Sequence, residues 1–298
     1  MATLYTQQAS NVRKTWLLVS IFLVVIIGLG WGFSYFYNNP IILYGAVIGS
    51  VLMNIVSFWY SDKIVLSMSG AKPATREEYF DLYTVTENLA ITAGLPTPKL
   101  YVITDPAPNA FATGRNKDHS AVAVTTGLLE RLDRTELEGV IAHELAHVGN
   151  RDILLQTVVV ILVGFVALLS DFFLRSMVFG RGSDERDCRL GMIITIIGFA
   201  LAILSPIIAT LIQLAISRKR EFLADATGAL LTRYPEGLAS ALEKISAYGA
   251  PMQRASDATA HMFIANPFGG KSVGGLHKLF MTHPPAEERV KALRELSV

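Results

Sequence analysis

The chain has 298 residues, of which 51% are hydrophobic and only 17% are charged, and its mean hydropathy is +0.41. Soluble proteins carry about 25% charged residues, so this composition predicts that part of the chain lies in a lipid bilayer. A single cysteine excludes an internal disulfide scaffold, and a net charge of +1 provides no overall field that would attract nucleic acid.

The longest run without a charged side chain extends from Thr15 to Ser61 and covers 47 residues. As one helix it would be about 70 Å long at ~1.5 Å per residue, roughly twice what a bilayer requires, so it must fold back. An Asn-Asn-Pro step at 38–40 disfavours helix before the proline, which predicts two spans over about 15–37 and 41–60.

Two further apolar runs predict a second membrane hairpin over 153–217. Its spans extend from Ile153 to about Leu174 and from Leu190 to Ser217. More basic residues flank the four spans on one side than on the other, which places both termini in the cytoplasm. The first side carries Arg13, Lys14, Lys63, Lys72, Arg76, Arg151, Arg218, Lys219 and Arg220, and the second carries Arg175, Arg181, Arg186 and Arg189.

The sequence therefore predicts a multipass α-helical membrane protein, mainly α, with a small cytoplasmic α+β domain made from two polar segments. The predicted order is an N-terminus (1–14), a first hairpin (15–60), a polar segment (61–152), a second hairpin (153–217) and a second polar segment (218–298). Strand patterns cover Lys99–Ile103, Asn109–Thr113 and Ala121–Thr125, and helices are expected at Thr75–Gly94, after Asp133, at Pro235–Tyr248 and at Pro285–Leu296.

The clearest chemical pattern is an H-E-x-x-H on the predicted helix after Asp133, from His143 to His147. Residues four apart lie on one helical face, so both imidazoles can bind one metal ion while Glu144 accepts a proton from water beside them. Neutral imidazole suits zinc, and a catalytic zinc site needs three protein ligands and one open position. The alternative is a solvated helix face with incidental histidines.

Glu221 is the predicted third ligand, because it lies four residues after the fourth span and His147 lies six residues before the third. Both then lie about 6–9 Å beyond the same membrane face at 1.5 Å per residue. Asp225, one helical turn after Glu221, can accept a hydrogen bond from a ligand imidazole and fix its tautomer. The alternative is an exposed acidic face paired with the basic residues 218–220.

Three motifs resemble those of the HtpX family of membrane-bound zinc metalloproteases, relatives of the CAAX prenyl endopeptidases. They are His143 to His147 followed by Asn150 and Asp152, then Glu221-Phe-Leu-Ala-Asp225, then Thr282-His283-Pro284-Pro285 with Arg289. The resemblance covers nearly the whole chain, including the four spans. It implies a zincin-like (gluzincin) metalloprotease domain with one zinc ion per chain. The implied ligands are His143, His147 and Glu221, and the implied general base is Glu144.

The resemblance also implies where a polypeptide substrate binds. Asn109, Ala110, Phe111 and Ala112 would lie in an edge strand with which an extended substrate forms backbone hydrogen bonds. His283 is implied to lie near the site, where it can stabilise an oxyanion, or it can instead cap the last helix. The implied activity is proteolysis of misfolded or damaged membrane proteins at the cytoplasmic (inner) membrane, often as part of a stress response.

Other functions remain open at this point. An intramembrane protease would place the H-E-x-x-H inside a span, but charged residues at 136, 138, 151 and 152 put it at the aqueous face. A CAAX-prenyl-type endopeptidase would share the same ligands. A non-catalytic metal-binding membrane sensor or scaffold would leave Glu144 without a role.

A nucleotide site is not expected. Gly270-Lys271-Ser272 is similar to the end of a phosphate-binding loop, but Ala265 stands where the first glycine of that loop belongs. We therefore expect ATP-independent proteolysis, with polypeptides and the lipid bilayer as partners.

Overall fold

The computed structural model describes residues 4–36, 38–162, 218–256, 258–269 and 284–296. Most of the second predicted hairpin, 163–217, lies outside the described residues. The same holds for His283 and for the Gly270-Lys271-Ser272 sequence.

The described chain begins with a helical hairpin. Helices α1 (Leu4–Phe36) and α2 (Pro40–Trp59) pack against each other. Asn39 is the N-cap of α2, and its side chain accepts a hydrogen bond from the Ile41 amide at 3.0 Å. Proline at the first position of α2 has no N–H to satisfy, which favours a helix start there. The break therefore falls at the predicted Asn-Asn-Pro step.

Helix α1 alone, among the described helices, is long and apolar enough to cross a membrane as one straight segment, over Ala9–Gly32. Two bent pairs meet the same test only when each is counted as one segment. The first joins α2 to helix α3 (Ser61–Met68) at 83°, and the second joins Arg134–Gly149 to Asp152–Leu162 at 84°.

A small mixed sheet lies beyond the hairpin. Its four strands are β1 (Lys72–Pro73), β2 (Lys99–Ile103), β3 (Ala110–Asn116) and β4 (His119–Thr125), in the order β1-β2-β4-β3. Strand β4 pairs in parallel with β2 and antiparallel with β3, so β3 lies at an edge. The three predicted strands are present, whereas the two-residue β1 is too short to show a sequence pattern.

The described part of the chain contains seven further α-helices. They are α4 (Phe80–Ala93), α5 (Thr126–Arg131), α6 (Arg134–Gly149), α7 (Asp152–Leu162), α8 (Arg218–Thr232), α9 (Pro235–Ser246) and α10 (Ala286–Arg294). The expected start of α4 at Thr75 is wrong: the Thr75 hydroxyl accepts from the Glu78 amide at 3.4 Å in a separate turn, and the helix begins at Phe80. Gly94 ends α4 in the left-handed conformation, as its position predicts.

Helix α6 lies at the centre of the domain, against the sheet and against α4, α8 and α9. A capping box starts it: the Asp133 carboxylate accepts from the Glu136 amide and the Glu136 carboxylate accepts from the Asp133 amide, both at 2.9 Å. Nearly every residue from Glu136 to Val148 is buried. The buried polar side chains on this helix must find partners within the protein, since water does not reach them.

Candidate metal centre

The two histidines of α6 point their Nε2 atoms at each other. These atoms are 3.2 Å apart, and both imidazoles are buried, with His143 only 1% exposed. Two ligands that bind one tetrahedral zinc ion at ~2.0–2.1 Å lie about 3.3 Å apart, so the observed spacing matches that of a shared metal ligand pair. The alternative of a solvated helix face is wrong.

Helix α8 brings a carboxylate to the histidine pair. Glu221 Oε2 lies 3.8 Å from His143 Nε2, and Glu221 Oε1 lies 3.7 Å from His147 Nε2. One ligand atom from each of the three residues fits within a 4.8 Å cluster that could hold a metal ion. Glu221 is 1% exposed, so the alternative of an exposed acidic face is also wrong.

A glycine permits this close approach of α8 to α6. A Cβ atom at Gly228 would lie 3.0 Å from the backbone nitrogen of His143, which is closer than most real Cβ contacts. The two helices therefore pack with little space between their backbones. This packing, which a residue with a side chain would disturb, places the first turns of α8 beside the histidines.

The Nδ1 atom of each imidazole meets a buried carboxylate. His143 Nδ1 lies 2.9 Å from Asp225 Oδ1, and His147 Nδ1 lies 3.1 Å from Asp152 Oδ2. A carboxylate only accepts, so each Nδ1 carries a proton, and a neutral ring then has its lone pair on Nε2, where a metal could bind. The sequence pointed to Asp225 in such a position, whereas it gave Asp152 no role.

The charges around the two histidines differ. Burial, together with the nearby Arg289 guanidinium, lowers the pKa of His143 to about 4, although its hydrogen bond to Asp225 opposes this shift. Burial also acts to lower the pKa of His147, but the hydrogen bond to Asp152 and the carboxylates of Glu221 and Glu144 outweigh it and raise that pKa to about 9. His147 therefore lies where the field favours positive charge.

Arg289 on α10 is a central residue of the site to which the sequence motifs gave no role. Its Nε and Nη2 atoms donate to the two oxygens of Asp225 at 2.9 and 2.6 Å, and Nη1 donates to the Ile264 carbonyl at 3.1 Å. Burial acts to raise the pKa of Asp225, but the Arg289 charge and the hydrogen bond from His143 lower it to about 2. Arg289 thus keeps Asp225 ionised for its contact with His143.

Glu144 is buried on α6 beside the histidines, and its charge acts on both His147 and Arg289. The structure therefore brings together five of the residues singled out in the sequence. They are His143, Glu144, His147, Glu221 and Asp225.

The edge strand is partly covered. The side chain of Asn109 forms hydrogen bonds with the backbone of Ala265. Its Nδ2 donates to the Ala265 carbonyl at 3.0 Å, and its Oδ1 accepts from the Ala265 backbone amide at 3.2 Å. The Ile264 amide donates to the Ala110 carbonyl at 2.9 Å. Phe111 packs on Phe263 with ring centroids 5.1 Å apart. A substrate role for these residues stays a prediction.

The chain is similar to several known proteins. A model of peptidase family M48 matches residues 77–297. A protein named "Protease HtpX homolog" from Caldanaerobacter subterraneus subsp. tengcongensis is 50% identical over 301 aligned residues, which cover 99% of both chains. The HtpX homolog of Pyrococcus abyssi is 45% identical and covers 95% of this chain and 96% of its own. The crystal structure of S. mikatae Ste24p aligns with a TM-score of 0.49 and 18% identity, over 97% of this chain and 67% of that one.

The match to the family model covers most of the chain, and the identity of the chain to the HtpX homologues extends over nearly its whole length. The chain therefore belongs to peptidase family M48, as a membrane-bound metalloprotease of the HtpX type.

Proposed function

We propose that the protein is a zinc endopeptidase whose metal is held by His143, His147 and Glu221. The observation that carries this proposal is the buried convergence of two Nε2 atoms and one carboxylate, with each Nδ1 held by a further carboxylate. Two nitrogens and one oxygen form a donor set that zinc accepts in catalytic sites, and carboxylate partners on the Nδ1 atoms are typical of its histidine ligands. The residues present fit a zinc ion.

Bound zinc supplies Lewis acidity, which polarises a scissile carbonyl and acidifies water. The chain supplies the proton transfer. The Glu144 carboxylate takes a proton from the attacking water and gives it to the amine nitrogen that leaves. Asp225 and Asp152 keep the Nδ1 protons of the two imidazoles in place during this cycle, so the rings hold one tautomer and one orientation.

We further propose that an extended substrate pairs with the outer edge of β3 at Ala112. The Asn109 carbonyl accepts from the Thr125 amide of β4, so Asn109, Phe111 and Thr113 direct their backbone groups inward and Ala110 and Ala112 direct theirs outward. The Ala110 carbonyl already accepts a hydrogen bond from the Ile264 amide. Ala112 is buried, and its outward-directed N–H and C=O have no hydrogen-bond partner within the described ranges. Main-chain pairing of this kind accepts many substrate sequences.

The proposed substrates are misfolded or damaged membrane proteins, cleaved without ATP in quality control. The site lies beside the start of an apolar helix, since residues of α1 contact the α6–α7 junction. We propose that both hairpins cross the bilayer and that the site faces the cytoplasm, where the basic residues flanking the spans are concentrated. A polypeptide leaving the membrane would then meet the site near the surface.

The test uses full-length protein in detergent, loaded with zinc, and an unfolded protein such as casein. Glu144→Gln should retain zinc at full stoichiometry and lose at least about 100-fold in cleavage, because it cannot accept the proton. Glu221→Ala should lose both zinc and cleavage. The matched control is Glu138→Gln, since Glu138 lies on the same helix but only pairs with Arg134 at the surface.

Four results would contradict the assignment. They are full zinc in Glu221→Ala, cleavage by Glu144→Gln at the wild-type rate, a loss of cleavage in Glu138→Gln, and a requirement for ATP. A prenylated CAAX peptide serves as a second substrate. Cleavage of that peptide in place of casein would favour the prenyl endopeptidase alternative.

A further inference from the structure

A buried side chain of the N-terminal helix reaches the metal centre. Asn11 of α1 is only 3% exposed, and its Nδ2 donates to Asp152 Oδ1 at 2.6 Å and to the Asn150 carbonyl at 3.2 Å. Its Oδ1 accepts from Arg220 Nη1 of α8 at 3.3 Å. One amide therefore joins three segments of the chain that are far apart in sequence.

Asp152 is the residue through which this amide can act on the site. Its Oδ2 contacts His147 Nδ1 at 3.1 Å, while its Oδ1 receives Asn11 and lies 3.5 Å from Arg220 Nε. The two oxygens thus have separate partners, and the short bond from Asn11 fixes the rotation of the carboxylate about its Cβ–Cγ bond. That rotation decides whether Oδ2 faces the Nδ1 proton of His147.

We propose that Asn11 is a positioning residue for the metal centre, acting through Asp152 on His147. This inference rests on the zinc site proposed above. An amide suits the position because it donates to a carboxylate and accepts from a guanidinium at the same time, which neither an aspartate nor a leucine does. The chain thereby makes the geometry of one metal ligand depend on the position of α1.

The position of Asn11 on α1 is fixed by the packing around it. One turn later, the Thr15 hydroxyl donates to the Asn11 carbonyl at 2.9 Å, and Leu18 is buried in a cluster with Leu155 and Val159 of α7. The same helix continues as the apolar segment Ala9–Gly32. A displacement of this helix would therefore be transmitted to Asp152.

A purely structural role for Asn11 would also explain its burial, since a buried amide needs hydrogen-bond partners wherever it lies. The two roles differ in how Asn11 and Asp152 combine. If Asn11 acts through Asp152, its removal has no further effect on metal binding once the carboxylate is gone. If Asn11 only stabilises the fold, the two losses are independent.

The experiment is a double-variant cycle on metal affinity in the full-length protein, measured by competition with a chromophoric chelator. Asp152→Ala should weaken zinc binding by about 10- to 100-fold, as for other partners of metal ligands, and Asn11→Ala by a smaller factor of about 5. The double variant should bind zinc as Asp152→Ala does. Ser10→Ala, at the neighbouring position of α1, is the matched control and should bind as the wild type.

Cobalt provides a readout that a fold-stabilising role does not change. The visible absorption of Co²⁺ bound at the site depends on ligand geometry, so Asn11→Ala and Asp152→Ala should shift it in the same direction. The isosteric Asn11→Asp keeps the volume of the side chain but offers no N–H to Asp152, and it should reproduce the spectral shift of Asn11→Ala.

Wild-type affinity and spectrum in both Asn11 variants would overturn the inference, and so would a double variant in which the two losses multiply. A wild-type protein that binds neither zinc nor cobalt would instead overturn the zinc site itself. The two failures are therefore distinguishable.

Discussion

Replacement of Arg289 by methionine should destabilise the protein strongly. The Arg289 guanidinium is 1% exposed and makes two hydrogen bonds to Asp225, at 2.6 and 2.9 Å, and one to the Ile264 carbonyl. Methionine keeps helix propensity and much of the volume but leaves the Asp225 carboxylate buried beside a neutral imidazole. Breaking a buried ion pair from one side costs about 3–5 kcal/mol. At about 2–4 °C per kcal/mol, Tm should fall by roughly 6–20 °C.

The matched control is Arg294→Met on the same helix. Arg294 also pairs with two carboxylates, Glu236 and Glu243, at 2.7 and 2.8 Å, but its side chain is 45% exposed. Solvent screens such pairs, so this variant should unfold close to the wild-type temperature. The measurement is thermal unfolding in detergent with bound metal, followed by intrinsic fluorescence. Equal Tm values for the two variants would refute the view that burial, and not the number of ion pairs, sets the cost.

Three further predictions concern the same domain. Gly139→Ala should lower the free energy of unfolding by about 1–3 kcal/mol, because the added Cβ atom would lie 2.6 Å from the backbone nitrogen of Leu238. Gly149→Ala is the control, since the atom nearest to its added Cβ is 3.7 Å away. The hydrogen bonds from the Thr135 hydroxyl and the Glu136 amide lower the pKa of Asp133. The stabilisation by the Asp133 carboxylate is therefore present above the ordinary aspartate pKa and is lost as the pH falls below it. Asp133→Asn should flatten this part of the stability–pH curve, and an unchanged curve would contradict the cap. Zinc at about 1,000 times its Kd should stabilise the wild type by about 4 kcal/mol in thermal unfolding experiments. Chelation of the zinc should remove this stabilisation, and the Glu221→Ala variant should show none.

Much of the cluster of histidines and carboxylates could be predicted because it follows from local spacing. An i, i+4 pair on one helix fixes the relation of His143 to His147, and a second i, i+4 pair relates Glu221 to Asp225. Only one long-range step was needed, the prediction that the chain leaves and returns at the same membrane face. The helix start after Asp133 and the strand Lys99–Ile103 were predictable for the same reason, since helix starts and short strands leave local patterns in the sequence.

The remaining partners could not be predicted from any period in the sequence. The hydrogen bonds of Asn11 to Asp152 and of Arg289 to Asp225 join residues 141 and 64 positions apart. No helical or strand repeat relates such positions, and each residue type is common on protein surfaces. Both hydrogen bonds depend on helix packing that brings α1 and α10 against the ends of α6 and α8. The late start of α4 was missed because a Thr-x-x-Glu sequence also caps an isolated turn.

Charge balance explains why this group of residues holds together in the protein interior. Four carboxylates and two guanidinium groups are buried around the histidine pair, namely Glu144, Asp152, Glu221, Asp225, Arg220 and Arg289. Their formal charges sum to two negative units, which one divalent cation would neutralise. Burial acts to lower the pKa of His147, but its hydrogen bond to Asp152 and the surrounding carboxylates raise it to about 9, so the field around this ring favours positive charge. The same field would favour a divalent ion at the proposed site, and the two arginines limit the net negative charge to an amount that such an ion would balance.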